Sequence, residues 1–292
     1  MKQPFIMSPK VDFAFKLLFG DEKHKDLLIE LLATILKIPK ENFEGIELLN
    51  TELLREFKED KKGILDVRAR LKTGVQVDIE IQILPTQFMP ERTLFYWSKL
   101  YTNQIKSGDT YDKLKKCITI NIIDFECIEA DKIHTQYHLT EDELGNKLTD
   151  ILEIHFLELP KLTRLDKLKD SQDPIIEWLQ FLDAKSEEVM EMLAQKNEGI
   201  QKAYEVLRRV SEDEIARMAY EAREAEIRDQ LTREKIAREE GIEEGIEKGI
   251  QQSKVMLAEA LLDILDDHTI STKVGISIDL VRALRNKNEQ LR

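Results

Sequence analysis

The sequence predicts an α/β domain followed by a region that is entirely helical. Three observations carry this prediction: a strictly alternating segment, a nearly continuous apolar segment and a long run of strong helix formers without proline. Alternation at period two is typical of a half-buried strand, and a short continuous apolar run is typical of a strand covered on both faces. Strand and helix patterns are mixed up to about Lys161, whereas the patterns beyond it are helical.

Three helices are predicted in the mixed part. Residues 12–19 and 25–36 have apolar side chains at helical spacing, with Gly20 after the first segment and Pro39 after the second. Residues 90–107 predict a third helix, which starts near a proline and is closed by a glycine.

The strands of the mixed part form a hairpin and two separate segments. Residues 64–71 and 75–84 predict two strands joined by the short turn sequence KTG. The sequences CITINIIDF and DILEIHFLEL predict two more strands, and residues 46–57 predict a strand or an extended segment.

The helical part begins with the sequence DPIIEWLQFLDA, in which Asp173 is the expected N-cap and Pro174 lies in the first turn. Residues 187–254 then form a long run of helix formers. Near its end the repeat EEGIEEGIEKGIQQ places three glycines four residues apart, at Gly241, Gly245 and Gly249. Each glycine costs roughly 1 kcal/mol of helix stability relative to alanine. A flexible linker is one interpretation; we favour a helix–helix contact between subunits, and therefore a homo-oligomer.

The last forty residues predict two short helices around a turn at Gly275, with Ser277 as the N-cap of the second helix. Helix-turn-helix proteins that bind DNA have this outline. The second helix, however, offers only Arg282 and Arg285 among an aspartate and apolar residues, which favours a small packing or assembly unit.

The charge of the chain is unevenly distributed. Residues 1–128 contain 20 basic and 20 acidic residues, so the net charge of −13 belongs to the remainder of the chain. The first part can therefore still present basic residues to a phosphate backbone. Two cysteines are too few for a disulfide framework, and no signal sequence or membrane span is evident, so we expect a cytoplasmic protein that does not bind membranes.

The predicted hairpin brings acidic residues together. Asp66 lies on the polar face of the first strand, and Glu80 and Gln82 share the polar face of the second. Two neighbouring carboxylates repel each other, and a hard cation such as Mg²⁺ would relieve that repulsion. The alternative is an exposed edge hairpin whose acids are solvated or pair with Arg68 and Arg70.

Five segments, taken in order, resemble the recombination-promoting nuclease family, also called PD-(D/E)xK transposases. These segments are FAFKLLFG, ILDVRARL, VDIEIQ, ERTLFYWSKLY and SGDTYDKLKKCITINI. The resemblance covers roughly the first 160 residues, and the helical region with its glycine repeat is also typical of the family. It implies a restriction-endonuclease-like core, in which helices flank a mixed central sheet, and metal-dependent cleavage of DNA in recombination, mobile-element or phage biology.

The resemblance also implies roles for individual residues. Asp66 and Glu80 would bind the metal ion, and Gln82 would occupy the position where many members of the superfamily have lysine. A glutamine amide cannot act as a general base, so Gln82 could only orient water or bind a phosphate oxygen. Lys16 and Arg92 are our candidates for neutralising the phosphate; the alternative for Arg92 is a partner for a structural carboxylate. In the helix of Arg92, the side chains on the same face are Tyr96, Lys99 and Asn103, of which Tyr96 and Lys99 are further candidates for binding DNA.

Other sites are weaker candidates. His134 and His138 are four residues apart, but their segment has no helical face and no third zinc ligand is evident. No glycine-rich phosphate loop follows a strand, which argues against an NTPase.

The predicted organisation is a nuclease domain over residues 1–160, a helical connector over 161–205 and a helical C-terminal region over 206–292. The predicted function is that of a DNA endonuclease dependent on Mg²⁺ or another divalent cation. The alternative is a non-cleaving nuclease-fold protein that binds DNA or acts in assembly through its helical tail.

Overall fold

The computed structural model of the protein describes residues 5–51, 66–164 and 173–290. The start of the strand predicted over residues 64–71, and the end of the segment predicted over 46–57, lie outside these ranges. Within them the fold is α/β up to residue 164 and helical from residue 173 onwards, as the sequence patterns predicted.

Six strands of the described residues form one mixed sheet in the order β1-β2-β3-β4-β6-β5. Their bounds are β1 Glu47–Leu48, β2 Val67–Arg70, β3 Gln76–Gln82, β4 Cys117–Ile123, β5 His134–Tyr137 and β6 Leu152–Glu158. β3, β4 and β6 are parallel, whereas β1, β2 and β5 pair antiparallel with their neighbours. β3 therefore has a partner on each side and is not the edge strand that the alternative interpretation of the hairpin required.

The hairpin between β2 and β3 has the predicted tight turn. The backbone N–H of Gly74 donates to the carbonyl of Leu71, and the N–H of Leu71 donates to the carbonyl of Val75, both over 2.8 Å. Gly74 has φ +88°, a conformation that side chains other than glycine rarely adopt. The turn fixes the register in which Arg68 lies opposite Asp78.

The helices of the described residues up to Ser211 are α1 Asp12–Phe19, α2 Lys25–Leu36, α3 Met89–Thr102, α4 Lys161–Arg164, α5 Pro174–Leu182, α6 Glu187–Ala194 and α7 Glu198–Ser211. One face of the sheet carries the apolar side chains of β3 and β4 and forms a single core with α1, α2, α5, α6 and α7. α3 packs on the other face, where Thr93 donates to Asn121 of β4 over 3.1 Å. The sheet is thus enclosed by helices on both faces.

The long helix α8 covers Glu214–Leu261, and α9 Asp267–Val274 and α10 Ile278–Gln290 follow it. The predicted run over residues 187–254 is therefore divided into three helices, and Asn197 caps the second of them. The end of α8 packs with α9 and α10 around Ala258, Ile270 and Val281. Arg285 donates to Asp267 and to two backbone carbonyls, so it stabilises this small core, in keeping with the predicted packing unit.

The chain divides into two compact units, one up to Ile227 and one from Arg228. Their boundary falls within α8, further along the chain than the boundary near residue 160 that the sequence patterns favoured. The helices predicted as a connector pack on the sheet as part of the first unit. Among the described residues, no helix is both long enough and apolar enough to span a membrane.

Candidate functional site

Asp66 lies immediately before β2 and is held from two directions. Its Oδ2 accepts a hydrogen bond from the backbone N–H of Ile81 on β3 over 2.9 Å. Its Oδ1 is 2.9 Å from the ammonium nitrogen of Lys16, which projects from α1. The structure therefore brings together a predicted carboxylate and a predicted phosphate-binding lysine.

Glu80 occupies the middle of β3, and its side chain is almost completely buried beneath α3. Its Oε2 is 3.2 Å from a guanidinium nitrogen of Arg92. Its Oε1 has no hydrogen-bond partner within the described ranges. Arg92 in turn lies over the ring of Tyr96, with 5.1 Å between the guanidinium carbon and the ring centre.

A third carboxylate, Asp78, shares the polar face of β3 and is fully buried. Neither of its oxygens has a hydrogen-bond partner in the part of the chain that the structure describes. In the sheet, Asp78 is flanked by Arg68 on β2 and Thr119 on β4. Asp78 also belongs to the alternating segment of the sequence, but alternation alone does not show that α3 covers this face, so the pattern gave no reason to assign it a role.

Burial raises the pKa of all three carboxyl groups. It raises the pKa of Glu80 from 4.5 to about 7, although the Arg92 guanidinium acts in the opposite direction. Burial, and after it the charge of Glu80, raises the pKa of Asp78 well above its usual range. Burial also raises the pKa of Asp66, and the ammonium of Lys16 offsets part of that effect. Such clustered and strongly shifted groups are typical of functional sites.

The remaining predicted residues lie around this cluster. Gln82 is on the same face as Glu80, but its amide nitrogen donates to the carbonyl of Leu84 over 2.8 Å. Tyr96 is only 6% exposed, so its ring packs beneath Arg92 and does not present an open surface to DNA. Lys99 lies two turns further along α3 than Arg92, with its ammonium 5.9 Å from the centre of the Phe95 ring.

Helix α3 is shorter than predicted, and its buried stripe is different. It ends at Thr102, so Asn103 is its C-cap residue. The helical spacing places Leu94 on the same apolar side as Leu100, which predicts that both face the core; Leu100 and Thr93 are buried, but Leu94 is 49% exposed. The prediction was wrong for Leu94 because α3 covers a polar face of the sheet: Thr93 finds a hydrogen-bond partner there, and Leu94 faces outward.

The donor set fits a hard divalent cation. Carboxylate oxygens are the ligands that Mg²⁺ prefers, and the unpartnered Oε1 of Glu80 is a buried oxygen that a cation would satisfy. The other oxygens, Oδ1 of Asp66 and Oε2 of Glu80, face the cationic groups of Lys16 and Arg92. Lys16 and Arg92 thus supply positive charge at both carboxylates. A cation bound by the two carboxylates would take the place of these two side chains.

A second group of possible ligands lies on the opposite side of the sheet. His138, Asp150 and Glu153 have ligand atoms within 4.8 Å of one another. The ammonium of Lys116 already lies 3.0 Å from Asp150 and 2.6 Å from Glu153. A lysine of the chain itself therefore offsets part of the negative charge of these two acids. His134, which was a weak zinc candidate together with His138, belongs to β5 and hydrogen-bonds His155, not His138.

Comparison with known proteins agrees with this geometry. A family model described as PD-(D/E)XK nuclease family transposase matches residues 9–237. The chain belongs to the PD-(D/E)XK nuclease family transposases. Comparison with curated proteins and with solved structures gave no match.

Membership in the PD-(D/E)XK nuclease family supports a nuclease-type function and is consistent with the mixed sheet flanked by helices. The matched range extends well beyond residue 160 and includes α5, α6, α7 and much of α8. The family therefore includes the helices that complete the first compact unit.

Proposed function

We propose that the protein is a metal-dependent DNA endonuclease that hydrolyses phosphodiester bonds during recombination or in the processing of mobile-element or phage DNA. The observation that carries the proposal is the pair Asp66 and Glu80. These two buried carboxylates lie on adjacent parts of the sheet, and each faces a cationic side chain from a flanking helix. Family membership supports the same chemistry.

In this proposal Asp66 and Glu80 hold a divalent cation, with Mg²⁺ as the expected ion. When bound, the cation polarises the scissile phosphate and lowers the pKa of a coordinated water. Lys16 and Arg92, which face these carboxylates, would bind phosphate oxygens of the substrate. Arg92 is suited to this role because its planar guanidinium can make two parallel hydrogen bonds to a phosphate.

In this scheme the neutral Gln82 occupies the position where many members of the superfamily have a charged lysine. Its amide can orient water or donate to a phosphate oxygen, but it cannot accept a proton at ordinary pH. To do so it must exchange its present bond to the Leu84 carbonyl for one to the substrate. Lys16 and Arg92 together supply the positive charge that a lysine at position 82 would have contributed.

The test is a plasmid-nicking assay with Mg²⁺, Mn²⁺, Ca²⁺ or EDTA. We expect cleavage with Mg²⁺ or Mn²⁺ and none with EDTA. Asp66→Asn and Glu80→Gln each remove a negative charge while keeping the volume of the side chain, so each should reduce cleavage by roughly a hundredfold or more. Asp112→Asn, at an exposed carboxyl in the same unit, is the matched control. Cleavage at the wild-type rate by either site variant would show that the assignment is wrong.

The second candidate function is DNA binding without cleavage, and the bond of the Gln82 amide to the backbone carbonyl of Leu84 favours it. The same preparations distinguish the two candidates. A protein that retains duplex DNA in a mobility-shift assay, but leaves plasmid intact with every cation, would support the binding function.

A further inference from the structure

The N-terminal segment that leads into α1 is held by helices from much later in the chain. The backbone N–H of Met7 donates to the hydroxyl of Ser211 on α7, and the N–H of Ser8 donates to the hydroxyl of Tyr220 on α8, both over 3.0 Å. The start of α1, and with it the base of the Lys16 side chain, is therefore fixed by residues outside the five segments that carry the family resemblance.

The strongest of these contacts joins α8 to the first residue of α1. The Nε of Arg223 donates to both carboxylate oxygens of Asp12, over 2.9 and 3.1 Å. Hydrogen bonds between two charged groups are roughly twice as strong as neutral ones. The side chain of Asp12 is only 20% exposed, so solvent screens this pair less than it screens a fully exposed pair.

Asp12 also faces Lys16, one turn further along the same helix. Its Oδ2 is 4.0 Å from the Lys16 ammonium, whereas Oδ1 of Asp66 is 2.9 Å from it. Two carboxylates thus compete for one lysine. Acids and bases four residues apart on a helix attract each other, so Asp12 is able to draw Lys16 away from Asp66.

We propose that Arg223 is a positioning residue for the nuclease site. By compensating the charge of Asp12, Arg223 weakens the attraction of Asp12 for Lys16 and leaves Lys16 directed at Asp66. This inference rests on the proposed function, because it assigns to Lys16 the contact with the scissile phosphate. It extends the site to α8, a helix that the sequence pattern alone would assign to a separate region.

A purely structural role for Arg223 makes a different prediction. If the pair with Asp12 only fastens α8 to α1, removing either partner, or both, should have the same consequence. If Arg223 acts by restraining Asp12, removal of Asp12 should make Arg223 unnecessary. The informative variant is therefore the double substitution Asp12→Asn with Arg223→Ala.

The experiment measures plasmid cleavage with Mg²⁺ and thermal unfolding for the full chain and its variants. Arg223→Ala should slow cleavage by about tenfold, which corresponds to about 1.4 kcal/mol in the barrier. Asp12→Asn alone should change the rate little, and the double variant should return to nearly the wild-type rate. All three should lower the melting temperature, because each loses the Asp12–Arg223 ion pair; the two variants that lack Arg223 also lose its exposed pair with Glu226.

Arg217→Ala is the matched control. Arg217 also lies on α8 and contacts the N-terminal segment, with its guanidinium carbon 4.3 Å from the centre of the Phe5 ring, but it does not touch Asp12 or Lys16. It should leave the cleavage rate unchanged. A double variant as slow as Arg223→Ala, or an Arg223→Ala variant as fast as wild type, would overturn the proposal.

Crystal structures of the wild type and Arg223→Ala separate this inference from the proposed function. We expect the Lys16 ammonium to leave Asp66 and bind Asp12 in the variant; a lysine that stays on Asp66 would also overturn the proposal. If the wild-type protein cuts no DNA but Lys16 moves in this way, the proposed function fails while the positioning role of Arg223 stands.

Discussion

The backbone N–H of Ile81 donates a hydrogen bond to the carboxylate of Asp66, and this bond ties the acid before β2 to the strand that carries Glu80. Because the donor is a backbone group, this bond does not depend on the charge of the donor's side chain. An asparagine at position 66 keeps an acceptor oxygen for this bond. Loss of cleavage in Asp66→Asn can therefore be attributed to the lost charge and not to a displaced strand.

The first prediction concerns Gln82→Lys. Gln82 is on the same face of β3 as Glu80 and close to the end of the strand, so a lysine there can extend toward the carboxylates. If Gln82 only occupies a lysine position, the variant should retain cleavage or cleave up to about tenfold faster, because the ammonium adds charge beside the phosphate. Plasmid-nicking rates with Mg²⁺ measure this.

Gln82→Met is the control for this prediction, since it keeps the length of the side chain without a donor or a charge. It should cleave more slowly than wild type if the amide contacts water or phosphate. A Gln82→Lys protein that is folded by circular dichroism but inactive would show that the amide has a role of its own.

The second prediction is that Glu80 contributes a fall in the free energy of unfolding as the pH rises from about 4.5 to about 7, measured as the difference between the wild type and Glu80→Gln. In the folded protein the pKa of Glu80 is about 7, whereas its ordinary value is 4.5. Between these values the unfolded chain has lost the proton that the folded state retains, so folding becomes less favourable. The difference corresponds to on the order of 3 kcal/mol. Urea unfolding at a series of pH values in EDTA measures it.

Two variants check the source of this pH dependence. Glu80→Gln should remove the contribution of Glu80 and leave the part that Asp66 and Asp78 contribute in the same direction. Burial acts to raise the pKa of Glu153, but hydrogen bonds from His155 and Lys116 lower it to about 2, so the stability that Glu153 contributes changes with pH only below about 4.5. Mg²⁺ should restore stability at pH 7 in the wild type but not in Glu80→Gln. Burial lowers the pKa of His134 to about 4, so His134 acts in the opposite direction over this interval in both proteins. A wild-type curve that runs parallel to that of Glu80→Gln would contradict the prediction.

Part of this site could be predicted from the sequence because it depends on local pattern. Period-two alternation identified β3, and Glu80 and Gln82 lie on the face that it indicated. The covering of that face by α3 depends on tertiary packing, which explains why Asp78 received no role. β5 was missed because its four residues, HTQY, lack apolar alternation, and only pairing with β6 makes them a strand. The contact between Arg223 and Asp12 could not be predicted from local pattern, since the two residues are 211 positions apart in the sequence.

The third prediction is that Asp78→Asn stabilises the protein at pH 7 to 8. Asp78 is fully buried without a hydrogen-bond partner among the described residues, so its ionised form is costly. Asparagine has the same shape, carries no charge and can donate a hydrogen bond. We expect a gain of about 1 to 3 kcal/mol in the free energy of unfolding in EDTA, measured with urea.

Asp112→Asn is the control for Asp78→Asn, because Asp112 is exposed and its substitution should leave stability unchanged. Calorimetric titration with Ca²⁺ adds a second measurement. If Asp78→Asn is less stable than wild type and also binds Ca²⁺ more weakly, the negative charge of Asp78 serves the cation, and the prediction is wrong.

The fourth prediction concerns the glycine repeat of α8, which we propose mediates self-association. An added Cβ at Gly241, Gly245 or Gly249 would meet no atom within 4 Å in the described chain. The neighbouring isoleucines at positions 242, 246 and 250 are more than half exposed. Three glycines that each cost about 1 kcal/mol of helix stability therefore have no packing reason within one chain.

The charges along α8 favour a second copy of the same helix in antiparallel orientation. Residues 239–247 contain five glutamates and no basic residue, whereas residues 228–238 contain four basic and two acidic residues. Antiparallel pairing places the acidic segment of each helix against the basic segment of the other. Gly241 and Gly245 belong to the acidic segment, so the glycines of each helix then lie against the basic segment of the other, where they allow the backbones to approach closely.

Changing all three glycines to alanine separates an interface from a flexible linker. In an exposed linker, the triple alanine variant should raise helix stability by up to about 3 kcal/mol and leave the mass of the particle unchanged. In an interface, the added methyl groups should weaken the oligomer, and three leucines should weaken it further. Sedimentation of the wild type and both triple variants over a concentration series measures the mass. A wild type that remains monomeric at the highest concentration would rule out the interface, and the repeat would then be a linker.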